Sequence, residues 1–146
     1  MKFSGTIEIK APRDKVFAFV SDPRQVGSCG PGVESIERID DSHYRASAKV
    51  GVGFISARFE ADVEIAELVD GRTARIKADG SAPGSAVNAL ASMDLSDAPG
   101  GATTMAWEAD VSIHGTLASV GARMIEGTAN KLIGQTFDCI RAKLEA

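Results

Sequence analysis

The chain is poor in aromatic residues and in cysteine: its 146 residues include one Trp, one Tyr, six Phe and two Cys. Cys29 and Cys139 lie far apart and match neither a metal-ligand spacing nor a disulfide framework. Each is therefore expected to act as a small apolar residue, with no metal site. No positively charged, apolar signal segment precedes Phe3, so a reducing cytoplasm is the expected setting. There is no Lys/Arg cluster either. The sixteen basic residues are scattered through a chain of net charge -4, which gives nucleic-acid binding little electrostatic support. No apolar run approaches the roughly 18 residues that span a bilayer, so any membrane contact is expected to be peripheral. A phosphate-binding Gly-x-x-x-x-Gly-Lys-Ser/Thr run is absent, and Gly51-Val52-Gly53 reads as a turn between strands. His43 sits beside a turn and His114 on a polar parity, so neither is expected to be a general base, and no catalytic constellation is visible.

What the chain does have is period-two alternation. A hydrophobic content of 44% in a chain of this length supports one core, and 1–146 is expected to be a single domain. Phe3, Gly5, Ile7 and Ile9 alternate with polar residues in a first strand. Pro12, Asp14 and the apolar side Val16, Phe17, Phe19, Val20 then predict a short helix, and a second helical turn follows near Arg24 to Gly27. Six more strands are expected: Val33–Ile39, Tyr44–Val50, Ile55–Ile65, Ala74–Ala78, Val87–Leu95 and Met105–Ile113. Between Val50 and Ile55 the apolar parity switches from even to odd, which calls for a tight turn or a bulge. From 116 to about 145 apolar residues recur at three and four, predicting one long amphipathic helix capped by Thr116. Gly121, Gly127 and Gly134 interrupt it, and close packing of the helix backbone on strands is the expected reason. The economical arrangement is α+β: a seven-stranded antiparallel sheet curled around the final helix, with two short helices after the first strand, a helix grip.

A third of the inward strand positions are alanine, namely Ala46, Ala48, Ala57, Ala61, Ala74, Ala78, Ala89, Ala91 and Ala109. Side chains that small leave space under the helix, and an apolar space is a place for a ligand. The expected lining is Tyr44, Phe59, Met93, Met105 and Trp107 on the strands, with Ala57, Ala89 and Ala91 giving room and Leu117 and Met124 closing the helix side. The alternative is a filled core in which Leu117, Met124, Leu132 and Phe137 plug the gaps. Gly27, Cys29, Gly30 and Gly32, with Gly80 and Gly84, are expected to form flexible lips at the cavity entrance. Glu60, Asp62, Glu64, Glu108 and Asp110 occupy the outward parity, a solvated charged face opposed by Arg58, Arg75 and Lys77.

The run Ile9-Lys10-Ala11-Pro12-Arg13-Asp14-Lys15-Val16-Phe17-Ala18-Phe19-Val20-Ser21-Asp22-Pro23 resembles the opening of the START-like (SRPBCC) superfamily. Pro31-Gly32-Val33-Glu34-Ser35-Ile36, Gly100-Gly101 before the Trp107 strand, and the segment from Gly115 to Ile125 together resemble the carbon monoxide dehydrogenase G-subunit family. The resemblance covers essentially the whole chain. It implies an accessory protein of a molybdenum carbon monoxide dehydrogenase, holding a non-covalent respiratory quinone or other lipophile in its cavity and working at the inner face of the membrane. Many members carry a proline-rich linker and an apolar tail after the last helix, and this sequence departs from that pattern by ending at Ala146. Two other classes stand beside this one. A polyketide cyclase-like enzyme would need polar groups in the hollow, where the inward parity offers only Tyr44 and Thr103. An assembly or interaction module would use the outer surface and need no cavity.

Overall fold

The computed structural model describes all of residues 1–146. It has one seven-stranded sheet, every neighbouring pair antiparallel, in the order β1-β7-β6-β5-β4-β3-β2. The strands are β1 (Lys2–Ile9), β2 (Val33–Arg38), β3 (His43–Val52), β4 (Ile55–Val69), β5 (Thr73–Ala82), β6 (Ser85–Ala98) and β7 (Ala102–Gly115). Two short helices, α1 (Arg13–Val20) and α2 (Pro23–Gly27), link β1 to β2, and a long helix α3 (Ala122–Leu144) closes the chain. This is the expected helix grip.

Local chemistry explains the element ends. Pro12 takes the extended N-cap conformation of α1, and Val16, Phe19 and Val20 turn their side chains into the core. The Asp22 carboxylate accepts the Arg24 N–H at 3.0 Å and caps α2, whose first residue is Pro23. The parity switch after Val50 is the register of a two-residue hairpin: Val50 pairs Ala57 and Val52 pairs Ile55, with Gly53 at φ 62° in the turn. Outward residues form the expected charged ladder, with Arg45 bonded to Asp62 at 2.9 Å and Arg75 beside Glu67 at 3.4 Å. Arg58 grips Glu34 through two bonds of 2.6 and 3.1 Å, and this holds the Glu34 carboxyl below its ordinary range.

Three expectations are corrected. The final helix does not begin at Thr116: residues Thr116–Val120 form a separate 3-10 turn, and Gly121, at φ 97°, breaks it from α3. At 1.5 Å per residue the 23-residue α3 is about 34 Å long, shorter than a continuous helix from 116 would be. Gly127 and Gly134 do not pack on strands, since a Cβ at either would meet nothing within 4 Å. The cysteines are not separate: Cys29 and Cys139 form a disulfide across 110 residues, Cα atoms 5.4 Å apart, fastening the loop after α2 to α3. A cross-link of this kind persists in oxidising surroundings, so the cysteines give no argument for a reducing compartment. No helix is long and apolar enough to cross a membrane.

The buried side chains fall into two clusters. The larger gathers α1, the far end of α3 and the strand ends nearest them, with Ile9, Val16, Val20, Met105 and Ile140 essentially sealed from water. The smaller holds Val52, Phe59, Leu117 and Ile125 at the opposite end of the sheet, where α3 starts.

Candidate ligand cavity

Strand register places the small residues side by side. One inward row runs Ala46, Ala61, Gly80, Val87, Ile113, and the next Tyr44, Val63, Ala78, Ala89, Val111. Over the middle of these rows lies α3, which presents Ile125, Thr128, Ala129, Leu132 and Ile133, the i, i+3, i+4, i+7, i+8 stripe of an amphipathic helix. Between sheet and helix lies a cavity of about 340 Å³. All four members of the smaller cluster line it and no member of the larger one does. The physical reason is that α1 fills one half of the concave sheet, while the other half, whose strands carry Ala61, Ala78, Gly80, Ala89 and Ala109, is covered by α3 and Leu117 alone.

The lining is almost wholly apolar, with Thr128 its one polar side chain. Side chains around a partly open apolar space of this size lack packing partners on one side and forfeit those dispersion contacts. Water gains little there, because apolar cavities offer it no hydrogen-bond partners. An apolar guest offsets the loss.

The family model for the carbon monoxide dehydrogenase G subunit (CoxG) matches residues 5–145. The chain belongs to the CoxG family. Among solved structures, a conserved protein from Geobacillus kaustophilus is similar at 24% identity with a TM-score of 0.90, over 99% of this chain and 95% of that one. A START superfamily protein from Mycobacterium smegmatis is similar at 14% identity and a TM-score of 0.72, covering 99% and 97%. The Zhui aromatase/cyclase from Streptomyces sp. R1128 is similar at 14% identity and a TM-score of 0.73, covering 99% and 93%. At such identities these structures establish the START-like fold alone. No curated protein matches the chain in sequence.

Within this CoxG-family fold the residues singled out from sequence are dispersed. Phe59, Ala89 and Leu117 line the cavity, and so does Gly80. Met93 and Met105 do not: they sit in the larger, filled cluster, Met105 with no exposed surface. Ala57 packs behind the smaller cluster, and Ala91 lies one row away, paired with Ala109. Tyr44 is buried beside Val63 towards the β2 edge, outside the lining. Met124 is 45% exposed and lies against Gly53 of the β3–β4 turn, so it does not close the helix side. Trp107 is half-buried and packs edge-on against Phe137 at 5.0 Å, facing a neighbouring groove.

The expected lips are also corrected. Gly27, Gly30 and Gly32 belong to a tightly packed turn: a Cβ on Gly27 would strike Ile36, and one on Gly32 would strike the Lys49 carbonyl oxygen. Cys29 is buried and cross-linked there. Gly80 is inside β5, paired with Val87, and the turn shrinks to Pro83-Gly84, held by the Thr116 N–H donating to the Gly84 carbonyl at 2.8 Å. Lining residues missed from sequence include Thr128, Ala129 and Ile133 of α3. Their three- and four-residue spacing from Ile125 was the available signal. Thr103, one of two inward polar groups, spends its hydroxyl on the Ala11 carbonyl at 2.7 Å, outside the cavity lining.

Proposed function

We propose that this chain is a carrier that shelters a lipophilic molecule, a respiratory quinone in the first instance, as an accessory to a molybdenum hydroxylase of the carbon monoxide dehydrogenase type. The observation that carries the reading is the apolar cavity of about 340 Å³, in the size range of small-molecule sites and lined by one polar side chain. Family membership supplies the accessory role, and the START-like fold supplies the architecture. Proton transfer to a bound substrate requires a titratable or hydrogen-bonding group within reach. Thr128 stands alone in the lining, and a threonine hydroxyl without a base beside it does not activate a nucleophile. Carriage asks only for shape and apolar surface. An electron acceptor that water excludes is sheltered by such a cavity on its way between an enzyme and a membrane pool.

Native mass spectrometry of freshly purified protein is expected to show a bound lipophile, and added ubiquinone or menaquinone analogues are expected to raise the melting temperature with the logarithm of their concentration once it exceeds Kd. Ala89→Phe, which projects a ring into the cavity, is expected to abolish both signals. Recovery of no lipophile together with no quinone-induced shift would overturn the proposal.

A further inference from the structure

The cavity is not the only concavity on this side of the molecule. A groove of about 610 Å³ runs between edge strand β1 and α3, and it shares Phe3 and Ile133 with the cavity lining. Its character is different. Glu126 and Asn130, one helical turn apart on α3, border it together with Lys2, Ser4 and Thr6 of β1, and its floor is the Trp107–Phe137 pair. Neither Glu126 nor Asn130 has a side-chain partner elsewhere in the protein, whereas Lys2 lies 3.8 Å from Glu108.

Trp107 supplies the directional group. Its indole N–H has no acceptor in the protein, yet it is not sealed away. The reason is Gly5, which pairs with Trp107 across the β1–β7 ladder and has no side chain to cover the ring. A Cβ at that position would lie 3.0 Å from Nε1 and 3.1 Å from Cζ2. The strand edge adds more free groups. Met1 and Val111 exchange both backbone bonds, at 2.8 and 3.0 Å, and this alternation turns the N–H and C=O groups of Lys2, Ser4 and Thr6 away from β7. Further along, α3 occupies that edge: Arg141 donates to the Glu8 carbonyl at 3.3 Å and the Lys10 N–H donates to Glu145 at 2.8 Å. The open stretch of edge is the one beside the groove.

The geometry points to a head-group subsite: the groove takes the uncharged, hydrogen-bond-accepting head of a lipophile whose body fills the cavity, with Trp107 Nε1–H as the donor. This rests on the carriage reading and narrows it to neutral-headed amphiphiles. A carbonyl accepts from the indole N–H and from the Asn130 amide. A carboxylate head meets the unpaired Glu126, while the two cations on the same border, Lys2 and the Met1 ammonium, already face Glu108 at 3.8 Å and Asp110 at 3.9 Å.

The test uses the full chain and two classes of probe. Diphenylhexatriene, a hydrocarbon fluorophore without polar atoms, reports the cavity, and 2-pentadecanone and pentadecanoate compete with it as neutral and anionic heads on similar tails. Trp107 is the chain's one tryptophan, so its emission reads the groove directly. The ketone is expected to bind more tightly than the carboxylate and to alter Trp107 emission. Trp107→Phe, which keeps a ring but removes the N–H, is expected to weaken the ketone by about three- to tenfold, the worth of one neutral hydrogen bond. Gly5→Ala should weaken the ketone in the same direction with the indole intact. Diphenylhexatriene affinity should be unchanged in both variants. Unchanged ketone affinity in both variants, with diphenylhexatriene still displaced by Ala89→Phe, overturns the subsite and leaves the cavity standing. Failure of diphenylhexatriene to bind the unmodified chain overturns carriage itself.

Discussion

Gly80 shows how one residue shapes the cavity. It lies within β5 on an inward row, and a Cβ there would sit 3.6 Å from the Ala61 Cβ and 3.8 Å from the Phe59 Cβ, ordinary contact distances. Glycine inside a strand costs roughly 0.5–1 kcal/mol relative to alanine through backbone entropy. Gly80→Ala is therefore expected to raise stability by about that amount while reducing ligand capacity; chemical denaturation alongside a quinone titration checks both. A second residue-scale prediction concerns His43. Its Nδ1 lies 2.9 Å from an Asp40 carboxylate oxygen, and that hydrogen bond raises the imidazole pKa above its ordinary value while Asp40 is held below its own by the Ser42 N–H and by His43. The folded state thus binds the His43 proton more tightly than the unfolded chain. The stabilisation is complete below the unfolded value near 6.5 and fades as pH rises through the raised one. Asp40 works in the opposite direction, its contribution fading as pH falls through the lowered value. An NMR titration should place His43 above 6.5, and Asp40→Asn should bring it down.

At the scale of elements, α3 tolerates change that the turns do not. Gly127 lies in the helix interior with open space where a Cβ would go, so Gly127→Ala is expected to stabilise the protein by up to about 1 kcal/mol. Gly115 is the contrast. At φ 83° it approaches the Gly84 carbonyl oxygen so closely that an added Cβ would stand 2.0 Å away, and Gly115→Ala is expected to lower the melting temperature and loosen the 3-10 turn that carries Leu117. Thermal melts of the two variants side by side separate an open helical glycine from an obligatory one. The elements themselves were largely readable. Alternation identified every strand except β2 because one face of each is buried and the other wet, and the parity switch located the β3–β4 hairpin; β2, whose Val33 and Ile36 lie three apart, is a strand of ambiguous facing in the sequence. The break at Gly121 was not readable, because Leu117 and Val120 keep helical spacing in the sequence while the 3-10 turn meets a different requirement, docking on the β5–β6 turn.

The whole molecule divides into a filled end and a hollow one, and the disulfide belongs to the filled end. Cys29 and Cys139 tie the loop after α2 to the last turns of α3, beside Ile140 and Leu144 of the larger cluster. Closing a loop of this length restricts the unfolded chain, and such a cross-link is typically worth about 2–4 kcal/mol. Reduction, or the double replacement Cys29→Ser with Cys139→Ser, is expected to lower the denaturation midpoint accordingly while leaving lipophile binding at the other end intact. Denaturant curves with and without reductant, paired with native mass spectrometry, test both halves of that statement.

The sequence by itself determined the alternating strands, the amphipathic last helix, the alanine-rich inner surface and the family, because each is a local pattern or a string of residues. Only the tertiary structure decided which small residues face the void. Ala57, Ala61, Ala89 and Ala91 share one parity with their strand-mates, yet only Ala61 and Ala89 line the cavity: Ala57 packs against the smaller cluster near the β3–β4 turn, and Ala91 lies towards the end that α1 and the disulfide-bound part of α3 fill. Pairing across 110 residues and the position of one helix along a sheet are contacts between distant segments, and no spacing along the chain encodes them.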